Sequence, residues 1–496
     1  MRWKAIERHI LPLLGGSLAA ATLAFGLATR PLATAAVAAA AVTALFALLP
    51  GSRSTLLVRA LLAFLLTGYA FWGRSFAYLG YQPFFIGDIV LGLVLLSSIL
   101  NGTLFSPLRS KLVWLLVLFA GWGAVRTIPY LPVYGLDALR DAAVWGYSAF
   151  AIVVAGVLLR QPSFGRLAEC YRWLVPPYLA WLVLAGLARA LSLGSLPSLG
   201  ADGGSVFQVK SGDAAVHLAG IGAFLILGLH RASPTGKRSF WLREWLLWTA
   251  WTAGFLFFGS QNRGGLLSVL IAMTTVLILW RKRRWVKPAI TVLCGFTLFL
   301  VLNLELDLGL ARKVSPQQLV TNLSSITGGS GATDEATRRW RLQWWQTIFD
   351  YTVGGDYFWG GKGFGANLAD EDGFQTDRNH ALRSAHNGHL TILARSGVPG
   401  LWLWILLQGS LSLGLLRAFL RARRAGNHEW AAFVVWILAY WVAFTVNSAF
   451  DVYLEGPQGG IWFWTVVGVG LAVLLAGPRR YRADSVSRGL AVVHAA

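Results

Sequence analysis

Residues 384–416 read SAHNGHLTILARSGVPGLWLWILLQGSLSLGLL, a polar segment with two histidines running straight into an apolar stretch. A helix needs roughly 20 predominantly apolar residues to cross a bilayer, and the stretch from Leu390 to Leu416 supplies them. His386, Asn387 and His389 therefore stand where a polar loop re-enters a membrane-type segment. A histidine at such a boundary can exchange protons near neutral pH, whereas little else around it titrates.

The rest of the chain has the same character. Of its 496 residues 56% are hydrophobic and 13% charged, and the mean hydropathy of +0.57 excludes an ordinary soluble domain. About fourteen apolar runs of near-spanning length occur. They cover residues 10–28, 31–49, 55–72, 85–100, 112–125, 142–159, 173–193, 214–229, 245–258, 266–280, 289–304, 390–416, 431–446 and 461–475. The expected fold is an all-α integral membrane protein with about 14 transmembrane helices.

The formal net charge of +21 does not point to nucleic acid, because its placement follows the membrane. Most of the 43 lysines and arginines lie in every second loop, among them Arg2, Lys4 and Arg8, Arg281 to Arg284, and Arg479, Arg480 and Arg482. By the positive-inside rule these loops and both termini face the cytoplasm. The organisation expected is residues 1-304 as transmembrane helices 1-11, 305-385 as one large periplasmic loop, 386-478 as helices 12-14, and 479-496 as a basic cytoplasmic tail. The first span has a charged start without a cleavage site and reads as an uncleaved signal-anchor. Cys170 and Cys294 fall in different compartments, so neither a disulfide nor a cysteine-based metal site is expected.

At about 80 residues the large loop exceeds an ordinary connection and marks function. Its segment 321–333 is rich in Ser, Thr and Gly and reads as flexible. Residues 334–351 read as an amphipathic helix with Trp340, Trp344, Trp345, Ile348 and Phe349 on one arc, suited to the membrane interface. Arg341 falls inside that arc, where it either snorkels to lipid phosphate or enters a substrate cavity. Arg339 points to the polar side.

Another arginine lies in Gly259-Ser260-Gln261-Asn262-Arg263-Gly264-Gly265, a hairpin between two spans. Arg263 begins a helix there, and the free amides, the positive helix end and the guanidinium together make an anion site. The alternative is a turn arginine anchored to lipid headgroups. Lys210 follows a Gly- and Ser-rich loop directly before a span and is placed to reach an anion. The other outward cations, including Arg74, Arg126, Arg312, Lys362 and Arg395, read mostly as solvated or headgroup-facing. Asp451 and Glu455, between the last two spans, either face the same cavity or are wet.

His380, His386 and His389 invite a metal reading, but no H-E-x-x-H-type signature is present and nearby arginines repel a cation. Two further readings stay open for His386 and Asn387, as caps of the helix beginning near Leu390 or as a proton-transfer and acceptor-positioning group. His217, alone inside a span, reads as a helix-packing hydrogen bonder.

These residues carry a family resemblance. His386-Asn387-Gly388-His389-Leu390 followed by Gly397-Val398-Pro399-Gly400-Leu401 resembles the signature of the bacterial O-antigen ligase and O-antigen polymerase superfamily. Arg341-Leu342-Gln343-Trp344, Gly360-Gly361-Lys362-Gly363-Phe364-Gly365 and Asn262-Arg263-Gly264-Gly265 are similar to its upstream segments. The resemblance covers about residues 210–416.

It implies an inner-membrane glycosyltransferase that takes a glycan from undecaprenyl diphosphate and moves it to an acceptor sugar hydroxyl at the periplasmic face, without metal, nucleotide sugar or other cofactor. His386 would act on the acceptor; Arg263, Arg341 and Lys210, the last standing where the family often has arginine, would bind the diphosphate; Asn387, Arg339 and Arg383 would support them. The acceptor would be a second lipid-linked glycan in a polymerase or lipid A-core in a ligase, and the fourteen spans lean toward polymerase. A lipid-linked oligosaccharide flippase and a protein O-oligosaccharyltransferase are the alternatives; the gathering of polar groups in one loop, with no internal repeat, speaks against transport.

Overall fold

The computed structural model describes residues 51–81, 84–161, 163–190, 205–207, 209–231, 237–280, 285–303, 305–306, 312–326 and 332–493. The expected spans at 10–28 and 31–49, the orientation of the N-terminus and the basic cluster at 281–284 lie outside the described residues.

From residue 55 onward the described residues of each apolar run named above are mostly helical. The helices of more than ten residues are α1 (Gly51–Ala77), α2 (Ile86–Leu100), α3 (Lys111–Thr127), α4 (Ser148–Arg160), α5 (Phe164–Ala190), α6 (Ser211–Ile226), α7 (Lys237–Gln261), α8 (Arg263–Leu279) and α9 (Val286–Val301). The loop region holds α10 (Pro316–Ile326) and α11 (Ala332–Val353), and α12 (Gly388–Arg424), α13 (His428–Ser448) and α14 (Pro457–Val493) complete the chain. The one sheet among the described residues is a two-residue pairing of Gly80–Tyr81 with Phe84–Phe85.

Six described segments are long and apolar enough to cross a membrane by length and composition. They include α12, α13 and the part of α14 up to Gly477, while α6, α8 and α9 are shorter apolar helices. The protein is thus an all-α, multi-pass membrane protein. α14 carries a break at Gly477, next to the boundary expected at 478, and runs on as helix beyond it.

α13 sits at the centre and packs against α6, α8, α12 and α14. Its Phe433, Val434, Val435, Ala439 and Phe444 are fully buried. Gly220 on α6 presses so close to the Tyr440 ring that an added Cβ would lie 2.7 Å from it. Small residues let membrane helices approach in this way, since packing rather than water release drives their association. Across the same contact His217 Nδ1 pairs with Tyr440 Oη at 2.5 Å, the interhelical bond expected of it.

In the loop region the structure departs from two expectations. Residues 321–326 are not flexible but form the end of α10. Leu319 is buried with Leu256, Leu266 and Phe299, and Asn322 donates to the carbonyls of Gly259 and Ser260 at 2.9 and 2.6 Å. Buried side-chain bonds of this kind outweigh the local preference of Ser and Thr for irregular backbone.

α11 forms where amphipathicity predicts, but its tryptophan arc faces the protein rather than the membrane interface. Trp344 and Ile348 are buried against Leu368, Ala369, Ala385, Leu390, Leu393 and Ala394, so α11 lies on the start of α12. Phe349 and Leu342 remain exposed.

The Gly-Val-Pro-Gly stretch breaks α12 at Gly397, which takes φ 69°. A Cβ there would stand 2.5 Å from the Phe358 carbonyl oxygen. Only glycine permits both that backbone conformation and that approach. Val398 N–H donates to the same Phe358 oxygen at 2.8 Å, which ties the loop to the break.

Candidate functional site

The Arg263 hairpin is built for rigidity. Asn262 caps α8, its side-chain oxygen accepting from Gly265 N–H at 2.8 Å. Ser211 Oγ donates to Gln261 Oε1 at 2.8 Å, joining the start of α6 to the end of α7. Gly265 lies so near α6 that an added Cβ would come within 2.7 Å of Ala215 Cβ. With Asn322 of α10 holding Gly259 and Ser260, the first turn of α8 presents half-buried Arg263 from a fixed base.

Lys210 is the N-cap residue of α6. Its Nζ lies 2.7 Å from Asp451 Oδ2, in the turn between α13 and α14. Burial works against the ammonium, but Asp451 and Asp213 outweigh it and hold the Lys210 pKa above the ordinary lysine value. Asp213, one turn into α6, is buried, and neither of its carboxylate oxygens has a hydrogen bond within the described residues.

Arg341 reaches the same place from α11. Its Nη1 donates to the Phe450 carbonyl at 3.3 Å, next to Asp451. Burial lowers its pKa from the arginine value; Asp451 opposes this, and Arg263 and Arg312 add to it. The buried Nε has no partner among the described residues. Arg341 thus turns toward the Phe450–Asp451 turn.

His386 stands at the centre. Its φ of 52° is left-handed, a conformation few non-glycine residues adopt. Burial pulls its pKa down to about 4, Arg341 and Lys210 act in the same direction, and Asp451 opposes them. The imidazole is therefore neutral at physiological pH and holds a free lone pair. Asn387 caps α12, accepting from the N–H groups of His389 and Leu390 at 3.0 and 3.1 Å. The capping reading thus applies to Asn387, and His386 is left to face the site.

The other histidines are spent elsewhere. His389 Nδ1 accepts from Trp404 Nε1 at 3.0 Å, which leaves its Nε2–H to donate to Thr445 O at 3.0 Å. Both ring nitrogens are occupied. His380 is exposed and pairs with Asp370 at 2.7 Å. No group of three or more His, Cys, Asp or Glu placed to hold a metal occurs among the described residues.

The structure brings Lys210 and Arg341 into electrostatic reach of His386, all three beside Asp451, and Arg263 into reach of Arg341. It does not bring Arg339, which is exposed and lies 3.5 Å from Glu335 one turn back. Arg383 belongs to a second cluster. It bonds Asp137 at 3.2 Å, Asp141 at 3.1 Å and the Gly365 carbonyl at 2.7 Å.

Arg395, expected at the surface, is fully buried in that cluster, 2.9 Å from Asp141. It also donates to the carbonyls of Ala366 and Gly363 at 3.1 and 3.4 Å. Lys362 is likewise not solvated but pairs with Asp372 at 2.6 Å, and Arg126 donates to the Gly360 carbonyl at 2.8 Å. These cations serve the loop: burial without a counter-charge or carbonyl would be prohibitive, and each has found one. They clamp the glycine-rich segment and the approach to His386.

Sequence reasoning passed over four residues at the site. Arg74 acts on Lys210, Arg312 acts on Arg341, and Asp213 acts on Lys210. The fourth is Trp340, whose ring centroid lies 6.5 Å from that of His386. The one available signal was the i, i+3 spacing of Lys210 and Asp213 across a helix start.

His217, one turn beyond Asp213, lines a cavity of about 160 Å³ with Phe71, Tyr178, Tyr440, Trp462 and Thr465. The cavity walls are almost wholly apolar. The cationic, histidine-bearing cluster and this apolar cavity thus adjoin through the first two turns of α6.

Residues 248–405 match the family model described as O-antigen ligase. The match spans α8, the Arg263 hairpin, α11, His386 and the break at Gly397, and it supports the O-antigen ligase and polymerase superfamily for this chain, with function of that type. No curated protein matches the sequence.

Proposed function

We propose that this protein is an inner-membrane glycosyltransferase that moves a glycan from undecaprenyl diphosphate to an acceptor sugar hydroxyl at the periplasmic face, in surface-polysaccharide assembly. The observation that carries this reading is that Lys210 and Arg341 both act on the neutral imidazole of His386 beside Asp451, with Arg263 in turn acting on Arg341. Residues separated by more than 170 positions in the chain converge on one small volume.

The chemistry follows from the charges. The acceptor oxygen attacks the anomeric carbon as the bond from that carbon to the diphosphate oxygen breaks. Negative charge grows on the leaving diphosphate, where Arg263, Arg341 and Lys210 stabilise it. His386 takes the proton of the attacking hydroxyl, a role open to it because its lone pair is free. No metal or other cofactor is required, since the cations supply the charge. The apolar cavity beneath Asp213 takes the first isoprene units of the lipid.

In the polymerase form, which we favour, the acceptor is a second lipid-linked glycan. The description of the matching family favours a second reading, a ligase acting on lipid A-core. Purified protein incubated with an undecaprenyl-diphosphate glycan, with and without lipid A-core, tests both. A ladder without core supports polymerase and core modification supports ligase. Transfer to a protein would mean an O-oligosaccharyltransferase, and movement of intact lipid without product would replace the enzyme reading by a flippase.

A further inference from the structure

Trp340 stands one residue before Arg341 on α11, and the mechanism above does not use it. It meets Trp344 edge-to-face at 5.3 Å and Phe374 edge-to-face at 6.1 Å. Those two rings stack on each other at 5.4 Å with 3° between their planes. Trp344 is also fixed by its bond to Asp372 Oδ2 at 2.7 Å. The indole of Trp340 is thus held at a set angle by a rigid aromatic pair.

Trp344 is fully buried and does the packing, whereas Trp340 stays half-buried. Its N–H makes no hydrogen bond within the described residues. The ring beside it is that of His386. A tryptophan whose only task was to fill the core would not keep an open side and an unused donor next to the site's imidazole.

Pyranose rings carry weakly positive C–H groups on one face and hydroxyls around the edge. The electron-rich face of an indole attracts the first, and its N–H can meet the second. Lys210 and Arg341 beside His386 suit diphosphate, whereas Trp340 offers the same imidazole an uncharged aromatic neighbour suited to a sugar. We propose that Trp340 is the saccharide platform of the site, on which the acceptor pyranose stacks so that its reacting hydroxyl points at His386.

The proposal rests on the glycosyltransferase reading and is tested separately from it. The full-length protein is assayed in liposomes at saturating lipid-linked donor. The acceptor is the soluble methyl glycoside of the sugar that product analysis identifies. In Trp340→Leu the acceptor KM is expected to rise roughly tenfold, with donor KM and kcat within about twofold of the parent. In Trp340→Phe, which keeps a ring against Trp344 and Phe374, a rise of about threefold is expected.

An unchanged acceptor KM, an equal rise in donor KM, or a loss confined to kcat overturns the platform. If Trp340→Leu does not fold, Trp340→Phe alone decides by the same criteria. Absence of any transfer by the parent protein would defeat the glycosyltransferase reading instead, and parental turnover with an unchanged acceptor KM defeats only this inference.

Discussion

Lys210 Nζ lies 2.7 Å from Asp451 Oδ2, joining the residue ahead of α6 to the turn between α13 and α14. An incoming diphosphate competes with Asp451 for this ammonium. Lys210→Ala is expected to lower donor kcat/KM by roughly tenfold or more, the scale of one charge-assisted contact, while Lys210→Arg stays within about threefold because guanidinium suits diphosphate at least as well. A parental kcat/KM in Lys210→Ala would remove the residue from the site.

His386→Ala is expected to reduce turnover by roughly 10²–10⁴-fold in correctly inserted protein, the span of general-base contributions. The pH profile carries a sharper expectation. Because the His386 pKa is lowered to about 4, the base form is present throughout the neutral range and is lost only as pH falls through that value. The kcat/KM of the parent should be flat from about pH 6 to 8, without the acid limb near 6.5 of an ordinary histidine. A limb at 6.5 that disappears in His386→Gln would contradict the buried setting described above.

The two arginines of α11 should behave oppositely. Arg341, turned into the site, is expected to cost roughly 10²-fold in kcat when replaced by alanine, as is Arg263. Arg339, exposed beside Glu335, is expected to change kcat by less than about twofold, since such surface pairs contribute little. Steady-state rates for the three alanine variants check this, and a large loss in Arg339→Ala would relocate the anion site along the helix.

The Asp141 cluster is a matter of stability. Arg395→Leu leaves Asp141 with Arg383 as its partner but removes one buried ion pair and the donor to the Ala366 and Gly363 carbonyls, and is expected to destabilise the protein by roughly 1–3 kcal/mol. Thermal unfolding in detergent measures it, with Arg126→Leu, whose partners are the Gly360 carbonyl and Tyr130 and include no carboxylate, expected to lose less. Equal melting temperatures for parent and Arg395→Leu would show that the cluster does not hold the loop.

Much of the helical layout was legible from residue spacing alone. Apolar runs marked each described membrane helix, and the tryptophan arc marked α11 within two residues at each end. What spacing did not reveal was the direction that arc faces. Amphipathicity reports a buried face without naming what buries it, and here Leu390, Leu393 and Ala394 take the place assigned to lipid.

The site was legible in a similar measure. Arg263, Lys210 and Asn387 stand at helix starts, where the chain's own geometry exposes amides and orients side chains. Trp340, Asp213 and Arg312 carry no such mark, because their part depends on which helix comes to rest beside which. Arg395 and Lys362 were misread for the same reason: a lone cation near a loop looks solvated until the fold sets a carboxylate beside it.

The sequence by itself determined that this is a helical membrane protein, where its described helices run, and which residues start them, since backbone bonding in lipid and the 3.6-residue period are local constraints. Only the tertiary structure decided that Lys210 and Arg341 act on His386 beside Asp451, with Arg263 acting on Arg341, while Arg339 pairs with Glu335 and Arg383 with Asp137 and Asp141. Electrostatic reach depends on distance in space, and segments far apart in the chain are brought within it only by the packing of α6, α8 and α12 around α13 and of α11 on α12.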